Sequence, residues 1–274
     1  MRTFAGRRLR NTALTLVGLA GIAIGVRRQE LSLDASAFAT GYLLLGAIVF
    51  LALYNLRKKL SVLPWTTSAG WLQTHIYVGL GSIVVCALHV GWRWPSGVLD
   101  TTLAGLYLGV FISGVVGLVW TRTLPPRLAR VSEEVIYERI PRLRSQVRER
   151  AEAVVLDTVR TTGAITLGEF YAHRLHGFFE KSRGVGYYLR PTSRLRRQLL
   201  AELTEVNRYL SDAEQEASEQ LFALVRRRDD LDFQAALQWR LKAWLFLHIG
   251  LTYPLLAAAC LHGWLAHLFY GGAL

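Results

Sequence analysis

His75 and His89 lie fourteen residues apart in one apolar stretch, and His248 and His262 lie fourteen apart in another. At ~100° per residue, fourteen steps fall about 40° short of four full turns, so both histidines of a pair share a helix face, ~21 Å apart along the axis. One metal ion cannot bridge that distance. Two stacked sites can, each drawing one imidazole from each helix, and the flat cofactor that takes two axial imidazoles in an apolar bundle is haem. The spacing predicts two bis-histidine haems, with iron held by His75, His89, His248 and His262. Ionisable side chains are costly in a bilayer and tend to mark a functional path, which favours this reading over four unrelated packing histidines.

The elements that must position these rings are membrane helices. Of the 274 residues, 52% are hydrophobic, and they gather into long runs at roughly 11–26, 38–56, 71–92, 102–121 and 242–266. Such runs are long enough to span a bilayer. The expected fold is all-α: a polytopic membrane helix bundle of about five spans binding two haems, with a helical cytoplasmic insert. Residues 1–121 would form spans one to four, 122–238 the insert, and 239–274 the fifth span and an external tail. Residues 1–25 have the basic start and apolar core of a signal peptide but no persuasive small-residue cleavage site, so they are read as the first span.

The net charge of +12 raises a nucleic-acid reading. Topology explains most of it. Arg2, Arg7, Arg8 and Arg10 precede the first run, Arg57, Lys58 and Lys59 follow the second, and most remaining arginines follow the fourth, whereas the other side carries Arg27, Arg28 and Arg93. This places the amino terminus and the insert in the cytoplasm, the carboxy terminus outside, and the third and fifth spans parallel. For a bacterial chain the membrane is the inner, cytoplasmic one. Parallel spans set His75 level with His248 near the inner face and His89 level with His262 near the outer face. Antiparallel spans would exchange the partners.

Only two cysteines occur, Cys86 and Cys260, both inside apolar runs. There is no CxxCH, zinc-ribbon or iron–sulfur spacing, so any haem is non-covalent haem b. The face from His75 to His89 carries Gly79, Ser82 and Cys86, all small, which suits close approach to a macrocycle as well as ordinary helix packing. The matching face of the fifth span carries Thr252, Leu255 and Ala259, with Pro254 expected to bend it. His267, nineteen residues from His248, points ~100° off the ligand face and is read as an interfacial residue. Each ligand ring should donate its second nitrogen to a neighbour, with Ser82 and Thr252 as possible partners. The haem propionates call for cations near the interface: Arg57, Lys58, Lys59, Arg240 and Lys242 on one side and Arg93, between Trp92 and Trp94, on the other. Each is equally well an ordinary topology or snorkelling residue.

On these four histidines the chain resembles the di-haem transmembrane cytochromes b, in particular the ferric reductase-like and NADPH-oxidase-like membrane domain. The resemblance covers roughly 38–121 and 242–266. Quinol-oxidising respiratory cytochromes b share the layout, so the resemblance implies the cofactor arrangement more closely than the reaction. Two features depart from the family: no flavin and nicotinamide module follows the last haem helix, and an insert of about 120 residues separates the fourth and fifth spans. The chain is therefore expected not to accept hydride by itself.

The insert holds twenty Lys/Arg against seventeen Asp/Glu, a balance that argues against nucleic acid. Leu143, Val147, Ala151, Val154, Val155 and Val159 form one amphipathic stripe, and Leu195, Leu199, Leu203, Val206 and Leu210 another. Pro125 and Pro126 mark where it begins, and Asp212 and Glu214 open a helical stretch that could run into the fifth span. Gly184 and Gly186 read as a loop between helices, not a phosphate cradle, since no GxGxxG or P-loop is present. His173 and His176 read as surface or packing residues ahead of a metal or quinone contact. The expected function is electron transfer across the membrane as a cytochrome b subunit, with a quinone pool and a c-type cytochrome as candidate partners and no nucleic acid. The alternatives are a self-contained ferric or other small-acceptor reductase, and a non-redox membrane protein that binds a partner through the insert.

Overall fold

The computed structural model describes residues 4–31, 36–54, 68–129, 131, 135–163 and 165–270. Among these there is no β-strand, and the chain is helical almost throughout. Helices α1 (Phe4–Leu31), α2 (Ser36–Ala52), α3 (Ser68–His89) and α4 (Val98–Leu128) are followed by α5 (Ile140–Thr162), the short α6 (Thr166–Phe170), α7 (His176–Glu180) and α8 (Val185–Leu189), then α9 (Arg194–Val206) and the 59-residue α10 (Asp212–Tyr270). The chain divides into two compact units, Met1–Val119 with Trp244–Leu274, and Trp120–Ala243.

In the first unit, α1, α3, α4 and α10 are each long and apolar enough to cross a membrane. The second run is shorter than its hydropathy suggests: α2 has 17 residues and gives way to a turn at Leu53 and Tyr54. Residues 55–56 of that expected span lie outside the described residues. Helix α3 packs against both α1 and α2. Asn11 donates to the Gln73 side chain at 3.1 Å, and a Cβ at Gly81 would already touch Thr15 and Leu19, so α1 and α3 meet through small and polar groups. Such contacts hold helices together where burial of apolar surface supplies little drive. Helix α3 closes on Gly91 at φ +64° and Trp92 at φ +59°, and the Trp92 amide reaches back to the Ala87 carbonyl at 3.0 Å. That left-handed turn reverses the chain into α4 within nine residues.

One expected boundary moves, and the expected run of one helix into the fifth span is observed. Helix α4 continues through Pro125 and Pro126 to Leu128, although each proline lacks the amide that would bond four residues back, and the Ala129 amide closes it on the Pro125 carbonyl at 3.0 Å. The stretch opened by Asp212 and Glu214 is continuous with the fifth span, so no linker separates them.

In the second unit the two sequence stripes line one core. Ala151, Val154 and Val155 from α5 and Leu199 and Leu203 from α9 are buried against Leu221, Val225 and Leu231 of α10, with Leu167, Leu175 and Phe179 closing one side. Leu195 is the exception and is exposed. A single π turn, Tyr171–Leu175, carries His173, so His173 and His176 do not lie along a regular α-helical face. Both are exposed and bond locally, His173 Nδ1 donating to the Glu169 carbonyl and His176 facing Glu180.

Candidate haem-ligand site

Within the first unit, α3 and α10 bring the four histidines together two by two. The His75 and His248 ring centroids are 6.5 Å apart with planes at 71°, and those of His89 and His262 are 6.3 Å apart at 86°. For one imidazole from each helix to bind a shared iron, the two rings would have to stand several ångströms apart, with room for the metal between them. Both pairs have that separation.

The second ring nitrogens determine which atom is left for a ligand bond. Ser113 Oγ already donates to the Val110 carbonyl at 2.8 Å, so its 2.7 Å contact with His248 Nδ1 has the imidazole as donor. His89 Nδ1 donates to the Ala37 carbonyl at 3.1 Å and lies 3.2 Å from the Thr40 hydroxyl, itself a donor to Ala37. His262 Nδ1 lies 3.0 Å from Asp100 Oδ1, an acceptor. Three rings are thereby held with the proton on Nδ1 and the lone pair on Nε2, the tautomer that metal binding through Nε2 would use. His75 Nδ1 is buried with no hydrogen-bond partner among the described residues, and its ring lies 5.0 Å from that of Tyr54.

These orienting groups are not the ones expected. Ser82 donates to the Gly79 carbonyl and meets the Tyr107 hydroxyl at 2.8 Å, and Thr252 donates to the His248 carbonyl instead of a ring. Both hydroxyls turn to nearby carbonyls three or four residues back in their own helices, the usual fate of Ser and Thr in apolar helices. The partners come from neighbouring helices: Thr40 on α2, Asp100 and Ser113 on α4. Thr40 and Ser113 are buried hydroxyls in otherwise apolar stretches, which is the signal sequence reasoning could have used.

Trp244 adds a further support. Its indole stacks on His248, centroids 5.7 Å apart at 26°, and its N–H donates to the Ser113 carbonyl at 2.7 Å. Glycines make room for these rings. A Cβ at Gly41 would stand 3.0 Å from His89 Cε1 and one at Gly117 would overlap the Trp244 indole, whereas one at Gly114 would make only ordinary contact with His248 Cε1 at 3.5 Å. Between the pairs the space is apolar, with Leu255, Ala259, Ile48 and Tyr107 in one buried cluster that Cys86 flanks.

His267 stands apart from the pairs. Its Nε2 is hydrogen-bonded to the Tyr42 hydroxyl, and its ring lies 5.6 Å from Phe38. The nitrogen that three paired histidines leave free is the one His267 uses. Of the expected propionate partners, Arg57, Lys58 and Lys59 lie outside the described residues. Arg93 is exposed in the turn after His89. Arg240 donates to the Tyr188 carbonyl at 3.0 Å and covers the Trp120 ring, and Lys242 pairs with Glu138 at 2.5 Å, so both are engaged in the second unit. Among the described residues no group of three or more His, Cys, Asp or Glu side chains could hold a metal ion.

No protein-family model, curated protein or solved structure matches this chain.

Proposed function

We propose that this chain is the cytochrome b subunit of a membrane redox complex, carrying electrons across a bacterial inner membrane through two bis-histidine b haems. The observation that carries the reading is that α3 and α10 bring the four histidines together two by two at closely similar separations, with Nδ1 of three of the four rings engaged and Nε2 left free. Bound haem supplies reversible one-electron carriage at two depths of the bilayer.

The residues of the chain supply position. His75 and His248 hold one site, which the positive-inside pattern puts near the cytoplasm, and His89 and His262 hold the other near the periplasm. Ser113, Thr40, Ala37 and Asp100 fix ring orientation, Trp244 backs His248, and the apolar cluster between the pairs excludes water. Of the expected propionate cations, Arg93 remains exposed beside the outer pair. The 274 residues contain no dinucleotide-binding fingerprint, which favours exchange with a quinone pool or a c-type cytochrome over hydride chemistry.

The test is cofactor stoichiometry followed by reconstitution. Purified protein is expected to carry two haems per chain, extractable into acidic organic solvent. A ratio near one, or colour that stays on the denatured chain, would overturn the two-site reading. In vesicles, haem reduction is expected with a quinol or a reduced c-type cytochrome but not with NADH or NADPH alone. Rapid reduction by the nicotinamide would replace the relay with a self-contained reductase.

A further inference from the structure

The four orienting contacts differ in charge. His248 donates to a neutral hydroxyl, His89 to a neutral carbonyl, and His75 Nδ1 has no partner, whereas His262 donates to the carboxylate of Asp100 at 3.0 Å. Asp100 lies in the first turn of α4, where an acidic side chain also complements the helix dipole. Dipole compensation alone does not require the carboxylate to meet a ligand histidine.

We infer that Asp100 is a positioning residue that lowers the reduction potential of the His89/His262 haem relative to the His75/His248 haem. The inference rests on the di-haem reading above. An anionic acceptor on Nδ1 makes the imidazole a stronger donor through Nε2, and the ferric centre carries one more positive charge than the ferrous, so both effects favour the oxidised form. The other pair lacks an anionic acceptor on either ring among the described residues. With this asymmetry an electron shared between the two sites rests preferentially at His75/His248, and the chain itself biases the direction of transfer. Asp100 is partly exposed, and solvent screening reduces the effect without removing it.

The experiment is a spectroelectrochemical titration of the full-length holoprotein and of Asp100→Asn, Asp100→Glu and Ser113→Ala. The couple of the outer pair is identified as the one missing in His89→Ala. Asp100→Asn keeps shape and a hydrogen-bond acceptor but removes the charge, so it should raise that midpoint alone, by on the order of a tenfold shift in the oxidised-to-reduced ratio, or about 59 mV for one electron. Asp100→Glu should restore most of the wild-type value. Ser113→Ala should move only the other couple, and by less. Unchanged midpoints in Asp100→Asn would overturn the inference. So would loss of the outer haem in Asp100→Asn, because the isostere preserves the contact and the role would then be structural. Wild-type protein with fewer than two haems would instead defeat the underlying reading.

Discussion

The two units place their side chains in opposite ways. In the first, large apolar residues such as Leu14, Val17, Ile112, Phe246 and Leu247 face outward, while the buried polar groups are Thr40, Ser82 and Ser113, beside the half-buried histidines. In the second, apolar side chains fill the interior together with the fully buried Arg228, Asp229, Asp232 and Gln234. The same helical period serves both units, and the difference is the solvent each requires. An apolar exterior suits lipid, and there a polar interior is the costly, informative part. A charged exterior suits water, and there the apolar interior supplies the stability.

The largest effect that follows concerns the polar interior of the first unit. His75→Ala and His248→Ala should each remove the same haem, and His89→Ala and His262→Ala the other, so that stoichiometry falls from two to one with a pairwise spectral phenotype. Low-temperature absorption and redox titration read this directly. A shared phenotype for His75→Ala and His262→Ala would break the pairing. His267→Ala should retain both haems, since its Nε2 is occupied by Tyr42.

How far these features could be read beforehand follows the same divide. Helices appear in sequence as period and length, so the long apolar runs and the two insert stripes were visible, as was the equal histidine spacing. The length of α2 and the passage of α4 through Pro125 and Pro126 were not, because they depend on tertiary support instead of local preference, whereas the run of the Asp212 helix into the last span was anticipated. The orienting residues were hidden for a different reason. Ser82 and Thr252 lie on the histidine-bearing helices, where sequence spacing can find them, whereas Thr40, Asp100 and Ser113 reach the rings from helices whose rotation no single-helix pattern determines.

The second unit has its own buried polar group, with a different expected readout. Asp232 is fully buried and accepts from Arg228 and from Arg183 at 2.8 Å, with the Arg144 guanidinium ion-paired to it at 2.5 Å, while Arg183 and Arg196 also reach Asp229. Burial pushes the neighbouring Tyr187 phenol well up, with Asp229 adding to the shift. Asp232→Ala would leave three guanidinium groups short of their carboxylate, which for a buried network costs about 3–5 kcal/mol. Hydrogen exchange across α5 and α9 should report that loss, with both haem bands unchanged. Loss of haem in Asp232→Ala would mean that the polar interiors of the two units are not independent.

The smallest effect is also the sharpest contrast, because it places one substitution on two exposed apolar residues. Ile112 in the middle of α4 and Leu156 in α5 are 59% and 54% exposed, so accessible area alone would rank their replacement by lysine alike. If the first unit sits in a bilayer, Ile112→Lys places an ammonium near the centre of a span, at about 2.5–3.5 kcal/mol on insertion scales. Leu156→Lys only exchanges a surface methyl group cluster for a charge in water, and it gains a Glu152 neighbour one turn earlier, so its effect should stay within about 0.5 kcal/mol. Membrane-integrated yield and thermal stability of the two variants, measured side by side, read the difference. Equal tolerance at both positions would mean that the outward face of α4 meets water or protein, and the inverted architecture of the first unit would lose its basis.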